Sequence, residues 1–256
     1  MVGTETDLTG DLRGVKSLKL IVDIRYFESE TINSTGKHLG NLYIVKRKET
    51  DNPVFVTTIT TRFVLKLREI GLCLPDFDHI FISLTPSIDE NEVIKSDEIN
   101  PYAKWLRSFY IGASPDFFNS LNEDKKIFFL IDKAVDVIQK YYCDSDERKE
   151  EVRKCAETIL KNGENERIIF KEKKSDTHTV QIIVRVLDFN TFKVYVRIMC
   201  NEEFVKEVEY PKNLDRFELP FQFGSINIGK KAVLIKPRKN SLSQMYSHLE
   251  DLRYDL

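Results

Sequence analysis

The stretch TVQIIVRVLDFNTFKVYVRIM, residues 179–199, contains two runs of alternating side chains on either side of a turn. Apolar and polar residues alternate through Thr179–Leu187 and again through Phe192–Met199, and a period of two is typical of half-buried strands. Asp188-Phe189-Asn190 lies between the two runs, where aspartate and asparagine favour a tight turn. The stretch therefore predicts an antiparallel β-hairpin.

The period of two begins just after Gly163 and continues well beyond this hairpin. Further strands are predicted at Arg167–Lys173, Phe204–Tyr210, Phe217–Phe223 and Lys231–Lys236. The links between successive strands are short and rich in turn-forming residues. Such spacing favours an antiparallel meander.

The register of the meander follows from keeping its apolar side chains on one face. Pairing Val194 with Val208 does this, and it places Lys193 opposite Glu209. Opposite charges on neighbouring strands stabilise a sheet by about 0.2–1 kcal/mol per pair. An RNA-binding sheet needs exposed aromatic side chains in a basic surround, so the glutamates of this face argue against nucleic-acid binding.

In the middle of the chain the apolar residues recur at helical spacing. Asn122–Tyr142 and Asp144–Lys161 each carry an apolar stripe, and Ser96–Tyr110 has a similar spacing. Ser114-Pro115 is a typical helix start, because serine caps free main-chain amides and proline suits the first turn. The same spacing predicts a final short helix at Ser241–Arg253.

The N-terminal part of the chain is predicted to contribute a first group of strands. They are expected at residues 15–27, Leu42–Lys48, Val54–Thr60 and His79–Leu84. The fold class is therefore α+β, with N-terminal strands, a central helical segment and a C-terminal antiparallel β-meander with a final short helix. We expect a mixed strand and helix domain at 1–163 and an antiparallel β domain with the C-terminal helix at 164–256. A single continuous domain, with the helices covering a sheet, is the alternative.

Composition and charge narrow the class of protein. The 256 residues carry 39 basic and 41 acidic side chains, and the acidic excess is concentrated at residues 61–164, with 20 acidic against 15 basic residues. No apolar run approaches the roughly 18 residues that a membrane-spanning helix needs. The four cysteines form no C-x-x-C pair. We therefore expect a soluble cytoplasmic protein without a metal, a cofactor or a membrane contact.

Catalytic signatures are weak. The sequence contains no P-loop, dinucleotide-binding, nucleophile-elbow or H-E-x-x-H pattern. The four histidines, which match no paired ligand spacing, are His38, His79, His178 and His248. Glu172 and Lys174 stand at the end of a predicted strand and form half of a metal-dependent nuclease pattern, in which a carboxylate holds Mg²⁺ and a lysine steadies the attacking water. A metal-dependent hydrolase with a dispersed site there is one alternative function, and a small-ligand-binding protein is another.

The sharpest functional hypothesis is a surface for protein recognition. Its predicted residues are the acidic Asp89, Glu90, Glu92, Asp97 and Glu98, followed by the aromatic Tyr102 and Trp105. Aromatic anchors beside steering charges are typical of binding hot spots. The sequence therefore predicts a non-enzymatic protein that binds a basic protein partner, and one concrete form is an inhibitor or immunity-type protein. The oligomeric state does not follow from the sequence.

Overall fold

The structure is a computed structural model and describes residues 17–28, 54–97, 99–239, 245–246 and 248–256. Within them the chain has the predicted α+β fold, with N-terminal strands, central helices and a C-terminal antiparallel meander. The strand predicted at Leu42–Lys48 lies outside the described residues.

Two sheets form the N-terminal half. Their strands are β1 (Leu18–Leu20), β2 (Asp23–Glu28), β3 (Cys73–Pro75), β4 (His79–Thr85), β5 (Val93–Lys95) and β6 (Leu106–Gly112). β1 pairs with β3, and the other four form a sheet in the order β2-β4-β6-β5. β2, β4 and β6 run parallel, whereas β5 is antiparallel to β6.

Four helices pack with these sheets. They are α1 (Val54–Glu69), α2 (Pro115–Ser120), α3 (Glu123–Tyr142) and α4 (Asp146–Asn162). The caps follow from the sequence, because Ser114, Asn122 and Ser145 each accept a hydrogen bond from a main-chain amide in the first turn of the helix that follows. α4 ends at Gly163, whose positive φ of 54° suits a glycine C-cap.

The C-terminal half contains the meander and a smaller sheet. The meander consists of β7 (Ile168–Lys174), β8 (His178–Asp188), β9 (Thr191–Cys200) and β10 (Glu203–Glu209), all antiparallel in the order β10-β9-β8-β7. A short helix, α5 (Glu218–Gln222), then leads to β11 (Ser225–Ile228), β12 (Ala232–Lys236) and β13 (Leu252–Asp255), which form an antiparallel sheet. Apolar residues of β8 and β9 on one face of the meander are fully buried.

The register between β9 and β10 differs by two residues from the predicted one. Val208 pairs with Val196 rather than with Val194. The loop of Asn201 and Glu202 has positive φ at both residues, as a two-residue hairpin turn requires, and a bulge at Val205 then adds one residue to β10. Beyond the bulge the total shift is even, so Val208 stays on the face of Val196, whereas Phe204, before the bulge, pairs with Met199 and is 66% exposed.

Two predicted elements upstream have the wrong type. Val54–Thr60 was expected to be a strand but belongs to α1, because Ile59, Phe63 and Leu67 bury one face of the whole segment at helical spacing. That longer period outweighs the β-branched residues at its start. Ser96–Tyr110 was expected to be a helix but leads into β6. This strand is buried on both faces between β4 and β5, and such strands lose the alternation that identifies them.

Two predicted elements downstream are also wrong. The strand predicted at Phe217–Phe223 is wrong, since Glu218–Gln222 within it forms α5. Asp215 and Glu218 make a capping box at the start of this helix: the Asp215 carboxylate accepts from the Glu218 amide at 2.7 Å, and the Glu218 carboxylate accepts from the Asp215 amide at 3.0 Å. The final helix predicted at Ser241–Arg253 does not extend to its end, because Leu252–Asp255 pairs with β12 as β13.

Helix α1 contacts elements of both halves of the chain. The Arg62 guanidinium donates to the Val186 carbonyl at 2.8 Å, and Lys66 forms an ion pair with Glu166 at 2.8 Å. One cluster of buried apolar residues includes side chains from both sides of residue 163. The division into domains at 1–163 and 164–256 stays a prediction. No helix in the described ranges is long and apolar enough to cross a membrane.

Candidate functional site

The acidic turn, Asp89–Glu92, joins β4 to β5 at the carboxyl end of the parallel strands. The Asn91 amide donates to the Gly112 carbonyl at 2.9 Å, and the Gly112 amide donates to the Glu92 carbonyl at 3.0 Å. Asn91 has a φ of 64°, which asparagine tolerates better than most residues. These bonds hold the turn against the end of β6, while its Asp89, Glu90 and Glu92 side chains stay exposed.

An aromatic groove of about 400 Å³ lies between this turn and helices α2 and α3. Its apolar lining consists of Phe117, Leu121, Phe128 and Phe129. The capped start of α2 and the capped start of α3 place Phe117 edge-on to Phe129, with 5.9 Å between the ring centroids. Phe128 keeps 59% of its surface exposed. A large aromatic side chain left in water beside a concave apolar surface is typical of a binding site.

Charged side chains surround the aromatic groove. Its lining includes the carboxylates of Glu90, Asp124 and Asp132 and the ammonium groups of Lys125 and Lys133. Three carboxylates against two lysines leave the lining with a net charge of −1, and Asp136, the second partner of Lys133, lies just beyond it.

Lys133 is buried beside the groove. Its Nζ is 2.9 Å from a carboxylate oxygen of Asp136 and 3.2 Å from one of Asp132, and it lies 5.7 Å from the centroid of the Phe129 ring. Burial alone would lower the pKa of Lys133, but the hydrogen bonds and charges of the two aspartates outweigh it and raise the pKa. Lys133 therefore stays charged and orients both carboxylates, which remain about half exposed.

A polar groove of about 620 Å³ lies on the other side of the acidic turn. It is lined by Asn91, Glu92, Val93, Asp136, Gln139, Lys140, Cys143 and Lys149. Asn91 lines both grooves, so the acidic turn stands between them above α3. The Val93 carbonyl accepts hydrogen bonds from the Lys140 ammonium at 2.9 Å and the Tyr141 hydroxyl at 3.2 Å. These bonds hold the end of α3 against β5.

The structure divides the predicted recognition surface into two parts. Asp89, Glu90 and Glu92 lie together at the carboxyl end of β4 and β6. Tyr102 and Trp105 precede β6 and therefore lie at its opposite end, about 20 Å away at the rise of an extended strand.

The two remaining acidic residues of the prediction are not in the turn either. Asp97 is exposed just after β5, where the neighbouring Ser96 amide bonds to the Ser108 carbonyl in the middle of β6. Glu98 lies outside the described residues. The acidic and aromatic groups of the prediction therefore do not form one cluster.

Trp105 belongs to a second, smaller group of side chains. Its ring stands edge-on to the His79 ring at 4.5 Å, and His79 Nδ1 is 2.6 Å from a carboxylate oxygen of Asp78. Tyr102, three residues before Trp105, is 95% exposed. Neither Trp105 nor Tyr102 belongs to the lining of the aromatic groove.

The residues of the alternative hydrolase hypothesis are engaged with each other and with a neighbour. Lys174 pairs with one carboxylate oxygen of Glu172 at 3.2 Å, and the Gln181 amide donates to the other at 2.7 Å. His178 contacts the Thr177 hydroxyl and His248 contacts Glu218, whereas His38 lies outside the described residues. No group of three or more histidine, cysteine or acidic side chains suited to a metal occurs among the residues that the structure describes.

Phe117 and Phe128 are the site residues that the sequence-based reasoning missed. A signal for Phe128 exists, because Asp124, Phe128 and Asp132 follow at intervals of four on the polar side of an otherwise regular amphipathic helix. An aromatic residue between two aspartates on that side is out of place in a purely solvated surface. That Phe128 lies in the same groove as Phe117 and Glu90 depends on the tertiary fold.

Neither the comparison with protein-family models nor the searches of curated proteins and of solved structures found a match for this chain.

Proposed function

We propose that this protein is a non-enzymatic binding protein that recognises a basic protein partner at the aromatic groove and the acidic turn. The observation that carries the proposal is Phe128, which is more than half exposed inside a groove whose rim includes Glu90, Asp124 and Asp132. When an apolar side chain of a partner covers this ring, the ring surface is removed from water. This burial stabilises the complex by about 25 cal/mol per Å² of apolar surface.

Charge supports a basic partner rather than an acidic one. Lys133 is bonded to both Asp132 and Asp136, so these three groups together carry a net charge of −1. Asp89 and Glu92 extend the acidic surface beyond the groove. A net charge at the rim speeds the approach of an oppositely charged partner, while the apolar centre supplies most of the affinity. An inhibitor or immunity-type protein that covers a basic toxin or nuclease is one concrete form of this function.

The test is affinity capture of partners from the native lysate with matched variants of the full chain. We expect a basic partner to be captured in stoichiometric amount by the wild type and lost with Phe128→Ala. Phe217→Ala is the control, since Phe217 is 58% exposed and immediately precedes α5 instead of lining the groove. A partner that binds Phe128→Ala as well as it binds the wild type would overturn the proposed site.

A further inference from the structure

The two grooves are connected along one side of α3. Phe128, Asp132 and Asp136 follow at intervals of four residues, so they lie on successive turns of the helix. Phe128 and Asp132 line the aromatic groove, and Asp136 lines the polar groove. A partner that covers Phe128 and continues along α3 therefore passes from an apolar surface to a pair of half-exposed carboxylates.

The neighbouring sheet edge offers little to an extended partner. β5 is the outermost strand of the described sheet, next to α3. Its Val93 carbonyl points away from β6 but already accepts hydrogen bonds from Lys140 and Tyr141. A strand that paired with β5 would have to displace both side chains. A helix needs no such bonds, because its own main chain satisfies its amides and carbonyls.

We infer that the basic partner presents an amphipathic helix, which lies along α3 with a bulky apolar side chain in the aromatic groove and an arginine at Asp132 and Asp136. This inference rests on the proposed function and specifies the kind of partner segment. An arginine fits the carboxylate pair better than a lysine, because its planar guanidinium has several donors and can bond to two carboxylates at once. Lys133 holds the two carboxylates in place before the partner arrives.

The distance along α3 distinguishes a helical from an extended partner. Phe128 and Asp136 are eight residues apart, which corresponds to about 12 Å along the helix axis at 1.5 Å per residue. In a helix that lies alongside α3, an apolar anchor and an arginine separated by this distance are roughly seven or eight positions apart. An extended chain spans it with roughly four residues, at about 3.3 Å per residue.

The test is a peptide display experiment, in which a library of random 18-residue peptides is selected for binding to the immobilised full chain. Peptides that also bind the Phe128→Ala variant are discarded. We expect enriched peptides with a bulky apolar residue and an arginine seven or eight positions apart. A proline placed midway between these two residues is expected to weaken binding more than tenfold, because it breaks a helix. On the protein side, Asp136→Asn is expected to remove the preference for arginine over lysine, and Asp176→Asn, in the exposed turn between β7 and β8, is the matched control.

The possible results separate the two proposals. Enriched peptides with a spacing near four that tolerate the central proline would overturn the helical partner and leave the proposed function standing. A selection that yields no peptide dependent on Phe128 would overturn both proposals. Helical spacing with retained arginine preference in Asp136→Asn would overturn the assignment of the carboxylate pair.

Discussion

The main-chain carbonyl of Asp89 lies directly over the α-carbon of Gly112, at the end of β6. A β-carbon added at Gly112 would overlap that carbonyl oxygen. The acidic turn is therefore seated on a glycine at the position where the sheet ends. Because backbone approaches backbone here, a rotamer change cannot relieve the overlap.

Replacing Gly112 by alanine is expected to displace the acidic turn. The substitution should lower the free energy of unfolding by about 1–3 kcal/mol, the usual range for overpacking, and should weaken partner or peptide binding at the aromatic groove. Denaturant unfolding and a binding isotherm measure the two effects. Gly229→Ala is the control, because its β-carbon would come no closer than 3.2 Å to the Ala232 carbonyl oxygen. Unchanged stability and binding in Gly112→Ala would contradict this account of the turn.

Reversing the charges of the acidic turn is expected to slow association. With Asp89, Glu90 and Glu92 all changed to lysine, the association rate constant with a basic partner should fall about tenfold or more at low ionic strength. The difference should shrink at high salt, because exposed charges are screened. Stopped-flow or surface-based kinetics at two salt concentrations measure it.

A matched triple variant separates local charge from net charge. Asp176, Glu202 and Glu203 are exposed at the turns between β7 and β8 and between β9 and β10, and changing them to lysine alters the net charge of the protein equally. This variant should associate much faster than the turn variant. Equal rates for the two triples would show that the position of the acidic turn is irrelevant.

Acid stability is expected to depend on Glu207, which bonds to Arg167 at 2.6 Å and to Arg197 at 3.0 Å on the outer face of the meander. Burial tends to raise the pKa of Glu207, but the two arginines outweigh it and lower the pKa. The two ion pairs therefore stabilise the fold at pH values above the unfolded-state pKa of Glu207, about 4.3. This stabilisation is lost as the pH falls through the lower folded-state pKa.

Glu207→Gln is expected to lower the free energy of unfolding by about 1 kcal/mol at pH 7 and by less near pH 3. Denaturant unfolding at the two pH values measures the difference. Glu209→Gln is the control, since Glu209 is more exposed and, within the described residues, forms an ion pair with Lys193 alone. An identical loss for Glu207→Gln at both pH values would rule out this role.

Alkaline stability is expected to depend on Tyr26. Its hydroxyl is buried between β2 and α3 and donates to the Leu130 carbonyl. Burial, together with the charges of Asp132 and Asp136, raises the pKa of Tyr26 well above its usual value. A raised folded-state pKa means that stability is complete below the unfolded-state pKa of about 10 and declines as the pH rises above it, since only the unfolded chain can ionise there.

Tyr26→Phe is expected to cost about 1 kcal/mol of unfolding free energy at pH 8 and to make the decline above pH ~10 less steep. Urea unfolding between pH ~8 and ~11 measures both quantities. Tyr102→Phe, at an almost fully exposed position, is the control and should follow the wild-type profile. A decline of unchanged steepness in Tyr26→Phe would show that this hydroxyl does not control the alkaline limit.

Local sequence patterns correctly predicted the elements in which buried and exposed side chains follow a regular period. In the meander, apolar residues that are buried at alternate positions of β8 and β9 produce the period of two, and α3 and α4 show both apolar stripes and caps. Prediction failed where neighbours decide the outcome. β6 lies between β4 and β5 and has no polar face to reveal its period, and α5 depends on the capping box of Asp215 and Glu218.

The candidate site divides in the same way. An exposed acidic segment at Asp89–Glu92 follows from the sequence, because a run of carboxylates is strongly hydrated and stays at the surface. The sequence placed Trp105 and Tyr102 with it, since the predicted helix would have kept them close. As β6 is extended instead, it carries them to the opposite end of the sheet.

The sequence by itself determined the α+β class, the antiparallel meander, the capped helices and an acidic surface segment, because periodicity, capping and hydration act over a few neighbouring residues. Only the tertiary structure decided that Phe117, Phe128 and Glu90 share one groove and that Lys133 holds Asp132 and Asp136 at its edge. The groove forms where the acidic turn, α2 and α3 meet, and the acidic turn rests on Gly112. Contacts between segments so far apart in the chain arise from packing of the whole core, which no local pattern encodes.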